Sequence, residues 1–366
     1  MSGSHPFGVY VHVPFCARRC DYCAFATWDD RHHLTDRYVA ALATEAEAVR
    51  RAGGLPPATS VFFGGGTPSL LSPEQLGGVL GAVPRMPDAE VTVECNPETV
   101  SSALLEGYRR VGVNRISLGV QATSPGVLRA LGRAHRPESV PAAVAAVRRA
   151  GIPTFNTDLI FGAAGQSLRS WRQTLLTVLE LEPPHVSAYA LTVEPGTPLA
   201  TEPSRHPDPD LQADMYAVAD ELLTQAGLDW YELSNWARPG HECRHNLLYW
   251  QQGGYRGLGS AAHSHADGRR WWNVRTPERY IRSVEEGRSP EAAAEDLDEA
   301  TRRIEGLELA LRTRRGVPMA ALESAGELRE QGLIDAAGDR AVLTRRGRLL
   351  ANEVSLRLRD AVPTGS

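Results

Sequence analysis

The sequence lacks the features that mark secreted, membrane-spanning and nucleic-acid-binding proteins. No segment reaches the roughly 18 consecutive apolar residues of a membrane-spanning helix, and the start, MSGSHPFGVYVHV, has neither the basic nor the apolar region of a signal peptide. Lysine and arginine number 39 against 44 aspartate and glutamate, and no run of five or six like charges occurs. We therefore expect a cytoplasmic chain without a transmembrane segment and without a nucleic-acid partner.

Cysteine is scarce as well, with five residues in a chain of 366. A reducing cytoplasm disfavours structural disulfides, and clustered thiols there more often bind metal or carry out redox chemistry. Cys16, Cys20 and Cys23 fall within eight residues of one another. Cys95 and Cys243 are distant along the chain, and we interpret them as a strand-end core thiol and a loop thiol.

The periodicity of the first half of the chain predicts an α/β fold. Short β-branched runs alternate with amphipathic helical stretches, as in parallel strands joined by crossover helices. About six such units favour a complete or partial parallel barrel over an open doubly wound sheet. The predicted strands span 8–13, 60–63, 90–95, 115–120, 154–160 and 185–191, and helices are predicted over 35–52, over 211–226 and directly after the capping residue Ser72.

Polar residues recur along one face of several predicted strands. Residues two apart in a strand point to the same side of the sheet, and three groups of polar or small residues have this spacing. These groups are Tyr10 with His12, then Ser117 with Gly119 and Gln121, and Asn156 with Asp158. The carboxyl ends of parallel strands meet at one end of a barrel, and we therefore expect a common polar interior there.

The pattern loosens after about residue 191. The aromatic stretch 230–250 and the Gly-rich segment 253–268 are predicted to be poor in regular structure. From about residue 297 helices return, a hairpin is predicted at Gly338 and Asp339 before a strand over 341–344, and a last helix is predicted over 345–358. Helices followed by a small β wing and a helix are typical of a winged-helix-like module.

The strongest motif is the C-x3-C-x2-C spacing of Cys16, Cys20 and Cys23. Three thiolates on one short loop can bind three irons of a [4Fe–4S] cluster and leave the fourth iron open to a small bidentate ligand. A zinc knuckle is the alternative, but it needs a fourth nitrogen or sulfur ligand at knuckle spacing. His12, on the preceding strand, is the nearest histidine upstream.

The cysteine spacing after a first strand, together with the glycine run 64–66 before Thr67 and Pro68, resembles the radical S-adenosylmethionine (SAM) superfamily. Within it, further segments resemble the family of oxygen-independent coproporphyrinogen III oxidase and its related heme chaperones. These segments are YVHVPFC at 10–16, ECNP at 94–97, LGVQ at 118–121, LGRAH at 131–135, NTDLIFG at 156–162 and HNLLYW at 245–250. The resemblance implies a radical SAM partial (β/α)6 TIM-like barrel over 1–235, a connecting region over 236–296 and a winged-helix-like domain over 297–366.

The resemblance also implies two cofactors, a [4Fe–4S] cluster and SAM. Arg133 matches the SAM carboxylate, Asp158 with Gln121 matches the ribose hydroxyls, and Glu94 matches a positive charge of SAM. By the same resemblance, the cofactor-binding positions are Tyr10, Tyr22, Gly65, Gly66, Thr67, Glu94, Gln121, Arg133 and Asp158.

Two departures from the oxidase pattern favour the chaperone branch. The oxidases extend the motif by a further cysteine, at the position that Phe25 occupies here, and carry a longer segment ahead of it, whereas fifteen residues precede Cys16. The HNxxYW segment points the same way. The expected function is therefore to bind heme and transfer it to an acceptor protein, such as a respiratory enzyme at a membrane, as a monomer or homodimer. The oxidase activity is the alternative, so whether the chain is an enzyme stays open, and a winged-helix regulator that uses the cluster as a sensor is a third hypothesis.

A heme site needs an axial ligand and flat apolar walls. His245 is the predicted ligand, and the competing ligands are His241, His263, His265 and Cys243. The aromatic residues expected to form the walls are Tyr231, Trp236, Tyr249, Trp250, Trp271 and Trp272.

Overall fold

Six parallel strands form the centre of the computed structural model, which describes residues 6–133 and 135–358. They are β1 (Phe7–Val13), β2 (Ala58–Gly65), β3 (Arg85–Cys95), β4 (Arg115–Gln121), β5 (Thr154–Phe161) and β6 (His185–Ala190). Each pairs with the next strand along the chain. The order never turns back, as it would at the switch point of a doubly wound sheet. The predicted partial barrel is confirmed, and position 134 and the two chain ends of the predicted domains lie outside the described residues.

Helices cover the outside of these strands. They are α1 (Thr35–Arg51), α2 (Pro73–Ala82), α3 (Ser102–Val111), α4 (Pro125–Ala130), α5 (Ser139–Arg149), α6 (Leu168–Leu179) and α7 (Pro209–Gln225). Tyr38, Leu42 and Ala46 repeat every four residues on α1, and all three are fully buried against the sheet. Ser72 caps α2 through a capping box with Gln75, which fixes where this helix begins.

The same sheet continues beyond both ends of the barrel. The added elements are β7 (Asp229–Glu232), β8 (Asn235–Ala237), α8 (Arg244–Trp250), β9 (Gly254–Leu258), β10 (His263–Ala266), β11 (Arg269–Asn273), α9 (Pro277–Glu285) and β12 (Glu291–Asp296). β8 pairs with β6, and β9 pairs in parallel with β1. The described part of the chain thus contains a sheet of twelve strands, in the order β12-β11-β10-β9-β1-β2-β3-β4-β5-β6-β8-β7.

The prediction of little regular structure over 230–250 and 253–268 is wrong, because β7, β8 and α8 lie in the first segment and β9 and β10 lie in the second. Gly257 shows why, since a Cβ atom there would clash with the carbonyl oxygen of His263 on β10. The glycine therefore permits two strands to approach each other closely, whereas the sequence pattern suggested a loop.

The last part of the described chain forms a small unit with its own core. Its elements are α10 (Glu299–Leu311), β13 (Val317–Pro318), α11 (Ala325–Glu330), β14 (Ile334–Ala337), β15 (Arg340–Leu343), α12 (Arg345–Leu349) and α13 (Ala351–Ser355). The predicted hairpin joins β14 to β15, with Gly338 at a φ of +66°. The single helix predicted over 345–358 is wrong, because Leu350 leaves the helical conformation with a φ of −110° and divides it into α12 and α13.

Within the described ranges, no helix combines the length and the apolarity needed to cross a membrane.

Candidate cluster and ligand cavity

The cysteine loop leaves β1 and is held by hydrogen bonds at both ends. The Cys16 N–H donates to the carbonyl of Trp28 (3.0 Å), next to a β-bridge between Phe15 and Trp28. Asp21 anchors the other end, since its carboxylate forms an ion pair with Arg205 (2.7 Å). The backbone around the thiols is therefore positioned by the protein itself.

The three thiols of this loop fit a cluster better than a single ion. Cys16, Cys20 and Cys23 are free thiols, and burial raises the pKa of Cys16 and of Cys23. Across the described residues, no group of three His, Cys, Asp or Glu side chains stands close enough to hold one metal ion. A [4Fe–4S] cluster does not require such convergence, because each thiolate binds a different iron.

A cavity of about 950 Å³, which we name the barrel cavity, opens beside these thiols at the carboxyl ends of the strands. The predicted cluster and SAM residues all lie in its wall, together with His245, the predicted heme ligand. These are Cys16, Cys20, Cys23, Tyr10, Tyr22, Gly65, Gly66, Thr67, Glu94, Gln121, Arg133, Asp158 and His245. The predicted polar faces of β1, β4 and β5 also meet there, except that His12 lies outside this wall. Its ring instead bonds to the carbonyl of Ala26 (2.9 Å) and to the hydroxyl of Tyr10 (3.0 Å).

Glycines 65 and 66 bring the end of β2 against the cysteine loop. A Cβ on Gly66 would lie 2.6 Å from the carbonyl oxygen of Phe15, and one on Gly65 would lie 2.5 Å from the ring of His12. Gly65 also has a φ of +107°, which favours glycine. These glycines are therefore required by the packing of β2 on β1 and its loop, and not only by the approach of a ligand.

Two partly buried carboxyl groups, those of Glu94 and Asp158, face the barrel cavity. Burial, with the nearby Asp158, raises the pKa of Glu94 to about 8, while the Gly65 N–H donates to Glu94 Oε2 (3.1 Å). Burial also raises the pKa of Asp158, which accepts hydrogen bonds from Ser117 Oγ (2.5 Å) and Asn156 Nδ2 (2.8 Å). A cationic ligand would stabilise the charged form of both carboxylates, so this wall suits a positively charged group.

Arg133 spans the gap between the cysteine loop and the strand ends. Its Nη2 donates to Asn96 Oδ1 (2.7 Å) and to the carbonyl of Gly119 (3.1 Å), and its Nη1 lies 3.5 Å from Cys20 Sγ. Its buried Nε has no hydrogen-bond partner within the described ranges. A ligand carboxylate in the cavity could accept from this guanidinium.

The sequence pattern gave no sign of a second arginine, Arg115, beneath the cavity. Arg115 is 1% exposed, and it donates to the carbonyl of His241 (3.0 Å) and hydrogen bonds to His185 Nδ1. It also contacts Asn156 Oδ1 (3.4 Å), so it supports the polar network around Asp158. It begins a predicted strand, and only the barrel closure turns its long side chain inward.

The HNxxYW segment forms α8, whose first turn is held by Glu90 of β3. Glu90 accepts from the backbone N–H of Arg244 and of His245, both at 3.1 Å. The imidazole of His245 bonds through Nδ1 to Ser60 Oγ (2.9 Å) and through Nε2 to the hydroxyl of Tyr249 (2.8 Å). Burial lowers the pKa of His245 to about 3. Both nitrogens are engaged, so the predicted ligation of heme iron by His245 requires Tyr249 to move away.

The other residues predicted for heme do not form one site. His241 bonds to Thr154 at the start of β5, and Cys243 is a buried thiol in the loop directly before α8. Trp236 packs under α7, where its Nε1 donates to Asp220 (3.0 Å). The ring of Trp271 contacts the guanidinium groups of Arg256 (5.3 Å) and Arg269 (5.0 Å). His263 and His265 lie on β10, beyond β1. The aromatic residues are adjacent in the sequence but are separated by the sheet.

The comparisons with known proteins cover nearly the whole chain. The radical SAM superfamily model matches residues 10–178. The heme chaperone HemW of Mycobacterium tuberculosis (strain CDC 1551 / Oshkosh) is 41% identical over 95% of this chain and 94% of its own length. The HemW of Escherichia coli (strain K12) is 36% identical over 95% of this chain and 97% of its own length. The chain belongs to the HemW family. Membership in this radical SAM family implies a [4Fe–4S] cluster and SAM.

A solved structure extends the relation beyond the HemW family. Coproporphyrinogen III oxidase (HemN) from Escherichia coli, a radical SAM enzyme, superimposes with a TM-score of 0.83 at 25% identity, over 98% of this chain and 90% of that one. The HemW family therefore shares its architecture with an oxidase. The overall fold alone does not distinguish a chaperone from an enzyme.

Proposed function

We propose that this chain is a heme chaperone that binds heme reversibly and transfers it to an acceptor protein. The observation that carries the proposal is the end-to-end similarity to chaperones named HemW, at 41% identity over 95% of the chain. The second residue after the third thiol supports it, since Phe25 stands where the oxidases have a further cysteine, and its side chain is 66% exposed.

In this proposal the barrel cavity keeps the cluster and SAM. Cys16, Cys20 and Cys23 provide three thiolates, and the bound cluster supplies an iron with an open coordination position. Arg133 is the partner of the SAM carboxylate. The carboxyl group of Glu94 favours the positive charge of SAM, and that of Asp158 hydrogen bonds to its ribose hydroxyls. The raised pKa values of both carboxyl groups support this role, because a buried cation would repay their desolvation.

The remaining predicted sites of this cavity complete the proposed pocket. Tyr10, Tyr22 and Gln121 line it, and Gly65, Gly66 and Thr67 form the turn after β2. The acceptor protein, the cytoplasmic location and a monomeric or homodimeric state stay predictions.

Heme transfer tests the proposal directly. The full-length protein is purified without oxygen, its cluster is reconstituted, and hemin is titrated while the Soret band is recorded. The loaded protein is then mixed with the apo form of a b-type cytochrome, and the two are separated before spectra are taken. We expect a saturable Soret change at one heme per chain and the appearance of holo-cytochrome.

Two outcomes would contradict the proposal. The first is the absence of saturable heme binding. The second is the formation of protoporphyrinogen when the protein receives SAM, a strong reductant and coproporphyrinogen III, which would assign it to the oxidase branch. A sample of bovine serum albumin loaded with hemin is the control, because nonspecific release of heme to the cytochrome would occur from it as well.

A further inference from the structure

A second cavity, of about 670 Å³, lies next to the barrel cavity, in the direction of β9 and β10, and shares Tyr10 with it. We name it the outer cavity. Strands β9, β10 and β11 form its floor, and α10 covers one side through Glu305 and Leu309. Its volume falls within the range of about 300–1,000 Å³ that is usual for small-molecule sites.

The strand register gives the floor of the outer cavity its chemistry. His265 pairs with Tyr255 on β9 and with Arg270 on β11, while His263 pairs with Trp272. Residues directly opposite each other in a sheet point to the same face, so these five side chains share one surface. The rings of His263 and Trp272 are stacked, with centroids 5.5 Å apart. Imidazole, aromatic and guanidinium groups therefore stand together.

His265 offers a nitrogen without a partner. Its Nδ1 lies 3.2 Å from the carbonyl oxygen of Gly253, and because a carbonyl only accepts, Nδ1 carries the hydrogen. Nε2 then holds the lone pair, and it is buried with no hydrogen-bond partner in the part of the chain that the structure describes. The residue is only 8% exposed. Most buried polar atoms are satisfied, so this nitrogen requires an explanation.

A metal-binding histidine usually donates its other ring N–H to a carbonyl or carboxylate, and this hydrogen bond fixes the tautomer. The carbonyl of Gly253 accepts this hydrogen bond from His265. The imidazole is therefore neutral, and its Nε2 can bind iron. His245 differs, since Ser60 and Tyr249 occupy both of its nitrogens.

The rim of the outer cavity suits carboxylates. Arg270 forms ion pairs with Glu295 (3.0 Å) and Glu305 (3.2 Å). Arg275 lines the cavity and is exposed, and it forms no ion pair within residues 6–133 and 135–358. A guanidinium group without an anion at the edge of an aromatic cavity can bind the propionates of a porphyrin.

We infer that the outer cavity is the heme site, with His265 Nε2 as the axial ligand of iron and Arg275 as the partner of a propionate. This inference rests on the proposed function and names its ligand site. The two cavities share a wall formed by Tyr10, Ala24, Phe25 and Tyr249. Heme in the outer cavity would thus lie beside the cysteine loop without displacing a ligand from the barrel cavity.

The test uses anaerobic full-length protein titrated with hemin. His265→Asn keeps an N–H that can donate to Gly253 and removes the ligating nitrogen, and His245→Asn is the matched variant for the competing ligand. Loss even of residues that only orient a metal ligand weakens metal binding by about 10–100-fold. We therefore expect His265→Asn to raise the Kd of heme at least about tenfold and to shift the Soret band, while His245→Asn keeps the wild-type band. Circular dichroism and the cluster absorption verify folding.

If His265→Asn is poorly folded, rescue of a second variant by added imidazole still tests the inference. A His265→Gly variant has room for imidazole, which should restore the wild-type Soret band only if this position provides the ligand. Wild-type spectra in His265→Asn, together with their loss in His245→Asn, would overturn the inference and leave the proposed function intact. Failure of the wild type to bind heme would overturn the proposed function, and this inference with it.

Discussion

The barrel cavity and the outer cavity differ in the kind of nitrogen that each leaves without a hydrogen-bond partner among the described residues. In the wall of the barrel cavity this nitrogen is Arg133 Nε, which carries a hydrogen. In the barrel cavity, Asp158 accepts from Ser117 and Asn156, and Arg133 donates to Asn96 and Gly119. In the outer cavity, the Nε2 of His265 has no partner among the described residues. A free N–H donor suits a ligand carboxylate, whereas the lone pair of a neutral imidazole suits a metal ion.

Cys20→Ser should have the largest effect and should separate the two cavities. Removal of one of three thiolates abolishes most of the cluster, because the loop offers no other sulfur within reach, while heme binding in the outer cavity should be retained. Iron and sulfide analysis, the cluster absorption and a hemin titration check this. Cys95→Ala is the control, since Cys95 is outside the motif. Equal cluster content in Cys20→Ser and wild type would contradict the assignment.

Glu94→Gln should change how stability depends on pH. The pKa of Glu94 is raised to about 8, so the folded state holds this proton more tightly than the unfolded state. Stability is then full below the unfolded pKa of about 4.5 and falls as the pH rises toward 8. Relative to wild type, the free energy of unfolding of the variant should rise by roughly 2–4 kcal/mol between about pH 5 and about pH 9.

Denaturant unfolding at several pH values measures this difference. Thr92→Val on the same strand is the control, because it replaces a buried polar side chain without an ionisable group and should leave the pH slope as it is in wild type. Parallel pH profiles of Glu94→Gln and wild type would show that the carboxyl group is not perturbed in the barrel cavity.

Gly66→Ala should test how rigid the wall of the barrel cavity is. The new Cβ would lie 2.6 Å from the carbonyl oxygen of Phe15, so we expect a loss of about 1–3 kcal/mol in the free energy of unfolding and a lower cluster content. Gly78→Ala on α2 has no atom within 4 Å of its Cβ and should stabilise the protein by about 0.5–1 kcal/mol. The same sign for both variants would contradict the packing argument.

Arg275→Gln should have the smallest effect, confined to the outer cavity. An exposed ion pair contributes about 0.2–1 kcal/mol, so the Kd of heme should rise by a factor of about 1.4 to 5. Heme dimethyl ester, which lacks the charges, should bind equally to both proteins. Arg269→Gln is the matched control, because Arg269 faces Trp271 on the opposite side of β11. An equal loss with the ester would exclude a role in binding propionates.

Sequence patterns predicted the barrel more accurately than the region after it. The strands of the barrel repeat a strand-helix unit, and parallel pairing brings their carboxyl ends together whatever the details of the loops. Glu94, Gln121 and Asp158 are far apart in the sequence but line one cavity for that reason. The strands β9 and β10 were missed because glycine, which usually marks loops, here allows close strand packing at Gly257.

The proximity of the three thiols was determined by the sequence itself, because cysteines within eight residues are kept close by the covalent chain. The identity of the free imidazole was decided only by the tertiary structure. His245 and His265 both lie among aromatic residues in the sequence, yet Ser60, from a distant strand, occupies a nitrogen of the first, while the carbonyl of Gly253 leaves the Nε2 of the second free. A nitrogen is available for binding only when no other group satisfies it, and the folded chain determines which groups come that close.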